Sequence, residues 1–173
     1  MSDDSGIIAD MRWTQEGLTA RGFSGFVPFA ALPSSDVPTG PGVYVVVRPN
    51  ESAPLFLPTN PAGRFKGKDP SVTVEALEES WVAGVSLVYI GKANGGSNGK
   101  RGIRKRLDEY RRHGAGEPVG HWGGRYIWQL ADSAELLIGW MQTQDEEARI
   151  VERDMIADFT AEHSKRPFAN LKG

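Results

Sequence analysis

The chain has 173 residues, of which 39% are hydrophobic and 24% charged, and this suits one globular domain with a buried core. It has no cysteine, which excludes disulfides, thiolate metal sites and cysteine nucleophiles and leads us to expect a reducing, cytoplasmic location. Its net charge of −2 excludes a protein that is basic over its whole surface, as many nucleic-acid-binding proteins are.

Residues 1–38 are predicted to form an N-terminal extension that packs on the domain. The start, Met1-Ser2-Asp3-Asp4, is acidic where a secretory signal would be basic. No apolar run approaches the roughly 20 residues that span a bilayer, so we expect no membrane partner. Four rings give the extension its apolar anchors: Trp13, Phe23, Phe26 and Phe29.

Two short buried strands are predicted next, separated by an insertion at residues 48–86. The first, Val43–Val47, is rich in β-branched residues. The insertion begins with turn residues and becomes helical between about Val72 and Val82, so we expect a small folded unit that shapes specificity. The second strand, Leu87–Ile90, runs into Gly91-Lys92, where the glycine would let another backbone or a phosphate come close.

A basic helix is predicted from about Ile103 to Arg112. The segment from Lys100 to Arg112 holds seven of the 20 basic residues and two acidic ones, a net charge of +5. Such a patch is compatible with phosphate binding, although charge runs are more often solvated helix faces. Arg106 shares one face with Ile103, Leu107 and Tyr110. The candidates for binding nucleic-acid phosphates are Lys100, Arg101, Arg104, Lys105, Arg111 and Arg112, together with Gly91 at the strand end.

The last third of the chain is predicted to contain a hairpin and a long helix. The apolar runs 126–130 and 136–141 suggest the hairpin, and the helix covers about residues 144–162. Glu152 falls within the apolar stripe of this helix, between Ala148 and Ile156. A carboxylate there needs a cation, so periodicity alone leaves open a metal ion, a salt bridge to Arg106, or a stripe-edge position that reaches water.

Two histidines and three tryptophans also need an interpretation. His113 and His121 could each join a site beside Tyr110, but a surface or loop position is the favoured interpretation for both. The tryptophans are interpreted as core residues rather than platforms for base stacking: Trp122, Trp128 and Trp140.

Five blocks of the sequence, in this order, resemble the GIY-YIG nuclease family. They are Gly42-Val43-Tyr44, Tyr89-Ile90-Gly91-Lys92-Ala93, Arg106–Tyr110, Ala148–Glu152 and Pro167–Asn170, and together they cover about residues 39–173. The second block alone is weak evidence for this family. An arginine four residues before a tyrosine, with a glutamate on the next long helix, makes the set specific. The resemblance implies an α+β fold with a small central antiparallel or mixed sheet flanked by helices.

The resemblance also implies roles for individual side chains. Tyr44 and Tyr89 would contact or activate the attacking water, and Arg106 would stabilise charge on the phosphate. Glu152 would hold Mg²⁺ (or Mn²⁺), which suits hard oxygen ligands. The positions that match the family's site residues are Tyr44, Tyr89, Lys92, Arg106, Tyr110, Glu152 and Asn170.

The identity of the general base stays open between two tyrosines. A phenol has an ordinary pKa of about 10, so it needs a cation such as Lys92 to lower that pKa. Tyr89 is our preferred base, and Tyr44 is the alternative. The chain departs from the family in its Gly-Val-Tyr block and in the 44 residues between Tyr44 and Tyr89, a much longer gap that resembles restriction-enzyme relatives.

These features predict a metal-dependent endonuclease that cleaves DNA. The alternatives are a nucleic-acid-binding module of the same fold that does not cut, and a nuclease directed at RNA. The preference for DNA comes from family analogy. Since no separate DNA-binding domain is visible, a homodimer or partner proteins of a larger system are possible partners.

Overall fold

The computed structural model describes residues 11–96 and 99–171, and its centre is one antiparallel sheet of four strands. The spatial order is β1-β4-β2-β3, with each neighbouring pair antiparallel. This confirms the predicted α+β class with a small antiparallel sheet flanked by helices. The strands are β1 (Ser24–Pro28), β2 (Gly42–Val47), β3 (Leu87–Ala93) and β4 (Leu137–Gln142).

In the described ranges, four α-helices and three 3-10 helices with assigned bounds surround the sheet. Helices were predicted near residues 72–82, 103–112 and 144–162, and all three are confirmed. The α-helices are α1 (Gln15–Ala20), α2 (Val74–Ser80), α3 (Ile103–Gly114) and α4 (Asp145–His163). The 3-10 helices are Phe29–Ser34, Trp122–Gln129 and Ser133–Glu135. Within the described ranges, no helix has both the length and the apolar character needed to span a membrane.

The sheet separates two hydrophobic cores because its side chains alternate between faces. On β2, Tyr44 and Val46 face the core that contains α3, whereas Val43 and Val45 face the core beneath α1 and α4. Every residue of β2 is buried. A central strand covered on both faces explains why its sequence is an almost unbroken run of valines.

The N-terminal segment contributes to both the sheet and the cores. Its strand β1 pairs with β4, and its four aromatic anchors are buried. The indole of Trp13 also donates a hydrogen bond of 2.7 Å to Glu162 on α4. The segment is therefore a structural part of the domain.

The predicted hairpin is wrong. Residues 126–129 close a 3-10 helix, and the strand that was expected to be their partner, β4, is paired on both sides, by β1 and β2. A strand with two neighbours has no free edge for a third. Gln129 is fully buried and serves the insertion instead: its amide bonds Leu57 O at 2.9 Å and both backbone groups of Val72 at 2.8 and 3.1 Å.

Candidate active site

Tyr44 and Tyr89 lie on the same face of the sheet. In the β2–β3 register Tyr44 opposes Gly91 and Val46 opposes Tyr89, so the two tyrosines are diagonal neighbours with ring centroids 6.1 Å apart. A Cβ at position 91 would lie 2.4 Å from Cζ of Tyr44. The prediction that Gly91 admits a phosphate is therefore wrong, because the Tyr44 ring fills that space.

His121 completes a buried cluster with the tyrosines. Its Nε2 lies 2.6 Å from the Tyr44 hydroxyl, and its ring stacks on Tyr110 with centroids 3.6 Å apart and planes 3° apart. Tyr110 in turn donates a hydrogen bond of 2.6 Å to Gly124 O. His121 lies in a loop, as one of the two favoured interpretations expected, but the surface position is wrong, since 0% of the residue is exposed. We call Tyr44, Tyr89, Tyr110 and His121 the aromatic cluster.

His113 is also buried, so the surface interpretation is wrong for it as well. Its Nε2 lies 3.0 Å from Gly63 O, and the Gly63 amide bonds the His113 carbonyl at 2.8 Å. This histidine joins the insertion to α3. It has no contact with Tyr44 or Tyr89 among the described interactions, and we assign it a structural role.

Arg106 is the cation that faces the phenols. Burial raises the pKa of Tyr89 to about 12 and that of Tyr44 well above its usual range, while the Arg106 guanidinium opposes both shifts. Lys92 was expected to provide this opposing charge, and the structure assigns it to Arg106. Arg106 also donates a hydrogen bond of 2.7 Å to Gly120 O and lies 3.7 Å from Glu109.

The same guanidinium affects His121. Burial, together with the positive charge of Arg106, lowers the pKa of His121 well below its ordinary value. The imidazole is therefore neutral near pH 7. A neutral ring has one N–H and one lone pair. The nitrogen that carries the proton therefore decides whether His121 donates to Tyr44 or accepts from it.

A cleft of about 360 Å³ opens beside the aromatic cluster, at the end of β3. Lys92 and Arg106 both line it, so two cations from different elements point into one space. The rest of its lining comes from the end of β3 and the segment before α3: Ala93, Asn94, Gly96, Arg101 and Gly102. We call this space the cleft.

Glu152 lies on α4, against the other face of the sheet, and does not line the cleft. Its partial burial raises the pKa of its carboxyl group, and Lys92 and Arg166 oppose the shift. Its negative charge also contributes to the raised pKa values of Tyr44 and Tyr89. Within the part of the chain that the structure describes, Glu152 forms no ion pair, so the alternative of a salt bridge to Arg106 is wrong.

The environment of Glu152 fits a divalent cation held by one protein carboxylate. Among the described residues, no three His, Asp or Glu side chains converge on one point. Water and phosphate oxygens would complete the shell, which is an arrangement that Mg²⁺ accepts. The unpaired carboxylate supplies the hard oxygen donor. Arg166, beside it, was not recognised from the sequence, although it precedes the Pro167 block directly.

Asn170 lies against β3 and has no position in the lining of the cleft. Its Oδ1 accepts from Ile90 N at 2.9 Å, and its Nδ2 donates to Ile90 O at 2.8 Å. Both polar atoms of the amide therefore bind the backbone between Tyr89 and Gly91. The geometry gives Asn170 the task of holding the strand that carries Tyr89.

A basic groove of about 610 Å³ runs between α3 and the 3-10 helix Phe29–Ser34. Arg101 lines both the groove and the cleft, so the two are adjacent. Arg112 lies outside the groove and pairs with Glu117 at 3.1 Å. The groove contains five of the six basic residues predicted to bind phosphates: Lys100, Arg101, Arg104, Lys105 and Arg111.

The cations of the basic groove differ in how strongly they are already paired. Arg101 binds Glu109 at 2.5 Å and Arg111 binds Asp108 at 2.8 Å. Lys100 and Lys105 form no ion pair within the described ranges. These two lysines are therefore the most available charges for an anionic ligand.

Comparisons with known proteins do not provide a family. No family model matches this chain, and no curated protein and no solved structure is significantly similar to it. Functional interpretation therefore depends on the residues and their arrangement.

Proposed function

We propose that this protein is a metal-dependent endonuclease that hydrolyses phosphodiester bonds in DNA at a site of the GIY-YIG type. The position of Arg106 carries the proposal. Its charge acts on the hydroxyls of Tyr44 and Tyr89, and its side chain lines the cleft together with Lys92. A phosphate in the cleft would meet Lys92 and Arg106, with Arg101 as a third cation. Tyr44 and Tyr89 do not line the cleft, and Arg106 is the residue that links it to their hydroxyls.

The charges of Arg106 and Lys92 suit the charge that develops during hydrolysis. The guanidinium of Arg106 matches phosphate oxygens with two donors, and Lys92 adds a compact second charge. Both would stabilise the pentacoordinate state as negative charge accumulates on its equatorial oxygens. When bound to Glu152, Mg²⁺ or Mn²⁺ would supply a Lewis acid for a phosphate oxygen.

The phenols act in this proposal as neutral hydrogen-bonding groups. Their raised pKa values mean that neither Tyr44 nor Tyr89 carries a charge in the resting protein near pH 7. A neutral phenol can still accept a hydrogen bond from water and direct a water lone pair towards phosphorus. This role suits residues whose hydroxyls are held by neighbours.

The basic groove supports a polymeric substrate. It adjoins the cleft through Arg101, and its cations can follow a sugar-phosphate backbone without reading bases. The choice of DNA over RNA comes from the family resemblance, and a cleavage assay on both polymers tests it directly.

A second candidate function, nucleic-acid binding without cleavage, is supported by the burial of the phenols. Tyr44 and Tyr110 are almost entirely enclosed, and Tyr89 is 8% exposed. If the cleft does not open, water cannot reach Tyr44, and the protein would bind a phosphate backbone without hydrolysing it. Binding that is never followed by cleavage would identify this function.

The decisive experiment measures cleavage and binding on single-stranded and double-stranded DNA and RNA, with Mg²⁺, Mn²⁺ or EDTA. We expect cleavage of DNA that requires the metal. Glu152→Gln should abolish cleavage and leave DNA binding intact or tighter, because a negative charge near the phosphate is removed. Glu147→Gln, at an exposed position of the same helix, is the matched control and should cut normally.

Thermal unfolding of the same preparations separates a metal role from a structural one. Because Glu152 has no ion-pair partner among the described residues, Glu152→Gln should keep or raise the metal-free stability. A loss of about 3–5 kcal/mol would instead indicate a buried ion pair. Cleavage by Glu152→Gln at the wild-type rate would contradict both the metal assignment and the mechanism.

A further inference from the structure

We propose that His121 is a positioning residue that takes the hydrogen of the Tyr44 hydroxyl and so presents the Tyr44 oxygen to the attacking water as an acceptor. The inference rests on the proposed function, since it concerns the water that attacks the phosphate. It adds to the site a residue from outside the five sequence blocks. His121 lies in the segment between α3 and β4, 77 positions from Tyr44.

The length of the contact indicates which group donates. Hydrogen bonds from O–H donors span about 2.5–3.0 Å, whereas those from N–H donors to oxygen span about 2.7–3.2 Å. The separation between the Tyr44 hydroxyl and Nε2 of His121 is 2.6 Å. This distance fits a phenol that donates to an imidazole lone pair better than it fits the reverse.

The direction of this bond determines the state of the other ring nitrogen. Nδ1 of His121 is buried and has no hydrogen-bond partner in the part of the chain that the structure describes. When Tyr44 donates to Nε2, the proton of the neutral imidazole resides on Nδ1, and Nε2 is the acceptor.

The imidazole is also held in one orientation. Its ring is parallel to that of Tyr110 at 3.6 Å, and Tyr110 is fixed by its bond to Gly124 O. On the preceding residue, Gly120 O accepts a hydrogen bond of 2.7 Å from Arg106. Two predicted site residues of α3, Arg106 and Tyr110, thus set the position of His121.

The bond to His121 fixes the direction in which the Tyr44 hydroxyl presents its lone pairs. A hydroxyl whose hydrogen is committed to Nε2 turns its lone pairs away from His121. Arg106, which faces the hydroxyls of Tyr44 and Tyr89, then meets an acceptor rather than a donor at Tyr44. A water molecule in the same place could donate to Tyr44 and keep a lone pair for the phosphorus atom.

The test compares two substitutions of His121 in the full chain. His121→Phe keeps a flat ring for stacking on Tyr110 but removes the acceptor, whereas His121→Gln offers an amide oxygen of similar reach. We expect His121→Phe to lower kcat for DNA cleavage by about 100-fold with little change in KM, because the water is misplaced while the substrate still binds. His121→Gln should recover most of that loss.

A matched control removes the effect of stability. His113→Phe alters the other fully buried histidine, which bonds Gly63 O outside the cleft. If the loss of kcat in His121→Phe only reflects poorer folding, His113→Phe with an equal drop in Tm should lose as much. Equal losses in these two variants, or no recovery in His121→Gln, would overturn the proposal.

A second measurement needs no cleavage. The chain has three histidines, so two-bond ¹⁵N–¹H correlation spectra can resolve their imidazoles, with His121→Phe providing the assignment. We expect a protonated Nδ1 and an unprotonated Nε2 for His121 near pH 7. A proton on Nε2 would overturn the proposal. A wild-type protein that cuts nothing would end the proposed function and the role towards water, while the spectrum would still decide the direction of the hydrogen bond.

Discussion

The aromatic cluster and the basic groove are neighbouring regions that differ in burial and in how firmly their side chains are held. The cluster is buried, and each of Tyr44, Tyr110 and His121 is fixed by a hydrogen bond or a stacked ring. The groove is open, and part of its charge is already paired on the surface. Changes in the cluster should therefore alter turnover or stability steeply, whereas changes in the groove should alter affinity in small, nearly additive steps.

The largest effect is expected at Arg106, where the cluster meets the cleft. Arg106→Lys keeps the charge but loses the planar fork and the bond to Gly120 O. Loss of one preorganised donor at a transition state typically costs about 10²–10³-fold in kcat, and we expect that range here. Single-turnover cleavage and DNA affinity should be measured together.

Arg112→Lys is the control for that experiment. Arg112 lies on the same helix, outside both the groove and the cleft, and pairs with Glu117. It should cut DNA at close to the wild-type rate. If Arg106→Lys behaves in the same way, the assignment of Arg106 to the phosphate is wrong.

The next effect concerns stability and is expected at Gly91. A Cβ there would lie 2.4 Å from Cζ of Tyr44, in a strand that is buried on both sides. Overpacking of this kind typically costs about 1–3 kcal/mol, so Gly91→Ala should lower the free energy of unfolding by that amount. Chemical denaturation measures it.

Gly123 provides the comparison for Gly91. The nearest atom that a Cβ at position 123 would meet is the Tyr89 hydroxyl oxygen, at 3.9 Å, which is an ordinary contact. Gly123→Ala should therefore change stability by only a few tenths of a kcal/mol. Equal costs for the two substitutions would mean that the close approach of Tyr44 to Gly91 does not limit stability.

A third effect is the acid sensitivity that His121 gives to the fold. The pKa of the His121 imidazole is lowered in the folded protein. Between that pKa and about 6.5, the unfolded chain therefore binds a proton that the native protein does not. Stability is therefore retained above about pH 6.5 and falls as the pH decreases, by about 1.4 kcal/mol per unit for this group. The charged and titratable groups around its ring are Tyr44, Tyr89, Tyr110, Arg106 and His113.

Denaturant unfolding from about pH 8 to about pH 5 tests this. The dependence should be shallower in His121→Phe than in the wild type, because the titrating group is absent. His113, whose pKa is also lowered by burial, remains in both proteins and contributes equally. Parallel curves for the two proteins would show that His121 does not titrate in this range.

The smallest effect per residue is expected in the groove. Lys100 and Lys105 form no ion pair in the described ranges, so neutralising both to Gln should weaken DNA binding for all sequences alike. Each lysine that no longer neutralises a phosphate should reduce the slope of log affinity against log salt by about one unit. Arg112→Gln should change the slope less. An unchanged slope in the double variant would exclude the groove as a phosphate-binding surface.

The sequence could predict the elements whose signals are local. The valine run of β2 and the amphipathic patterns of α3 and α4 are periodic within a few turns, and their bounds are close to those observed. The environment of His121 was not predictable in this way, because burial depends on partners. Tyr44 lies 77 positions away, and nothing near His121 in the sequence indicates that contact.

Two other errors share that cause. Gly91 correctly signals a close approach, but the pattern cannot say whether a phosphate or the Tyr44 ring approaches. The predicted hairpin placed two neighbouring apolar runs together, whereas β4 pairs with the remote strands β1 and β2. Periodicity identifies which face of an element is buried, but only tertiary structure supplies what covers it.

The contacts of the last residues with β3 have a consequence for association between molecules. β3 is an edge strand, and its outward backbone groups at Val88 and Ile90 are bonded by Ala169 N at 2.8 Å and by the Asn170 side chain. Ala169 and Asn170 thus occupy the edge of β3 where a further strand could pair, although they are not part of a strand. Removing them would leave an apolar edge ready to pair with another β-strand, and such edges favour aggregation. A shortened chain would therefore be prone to sheet extension from one molecule to the next.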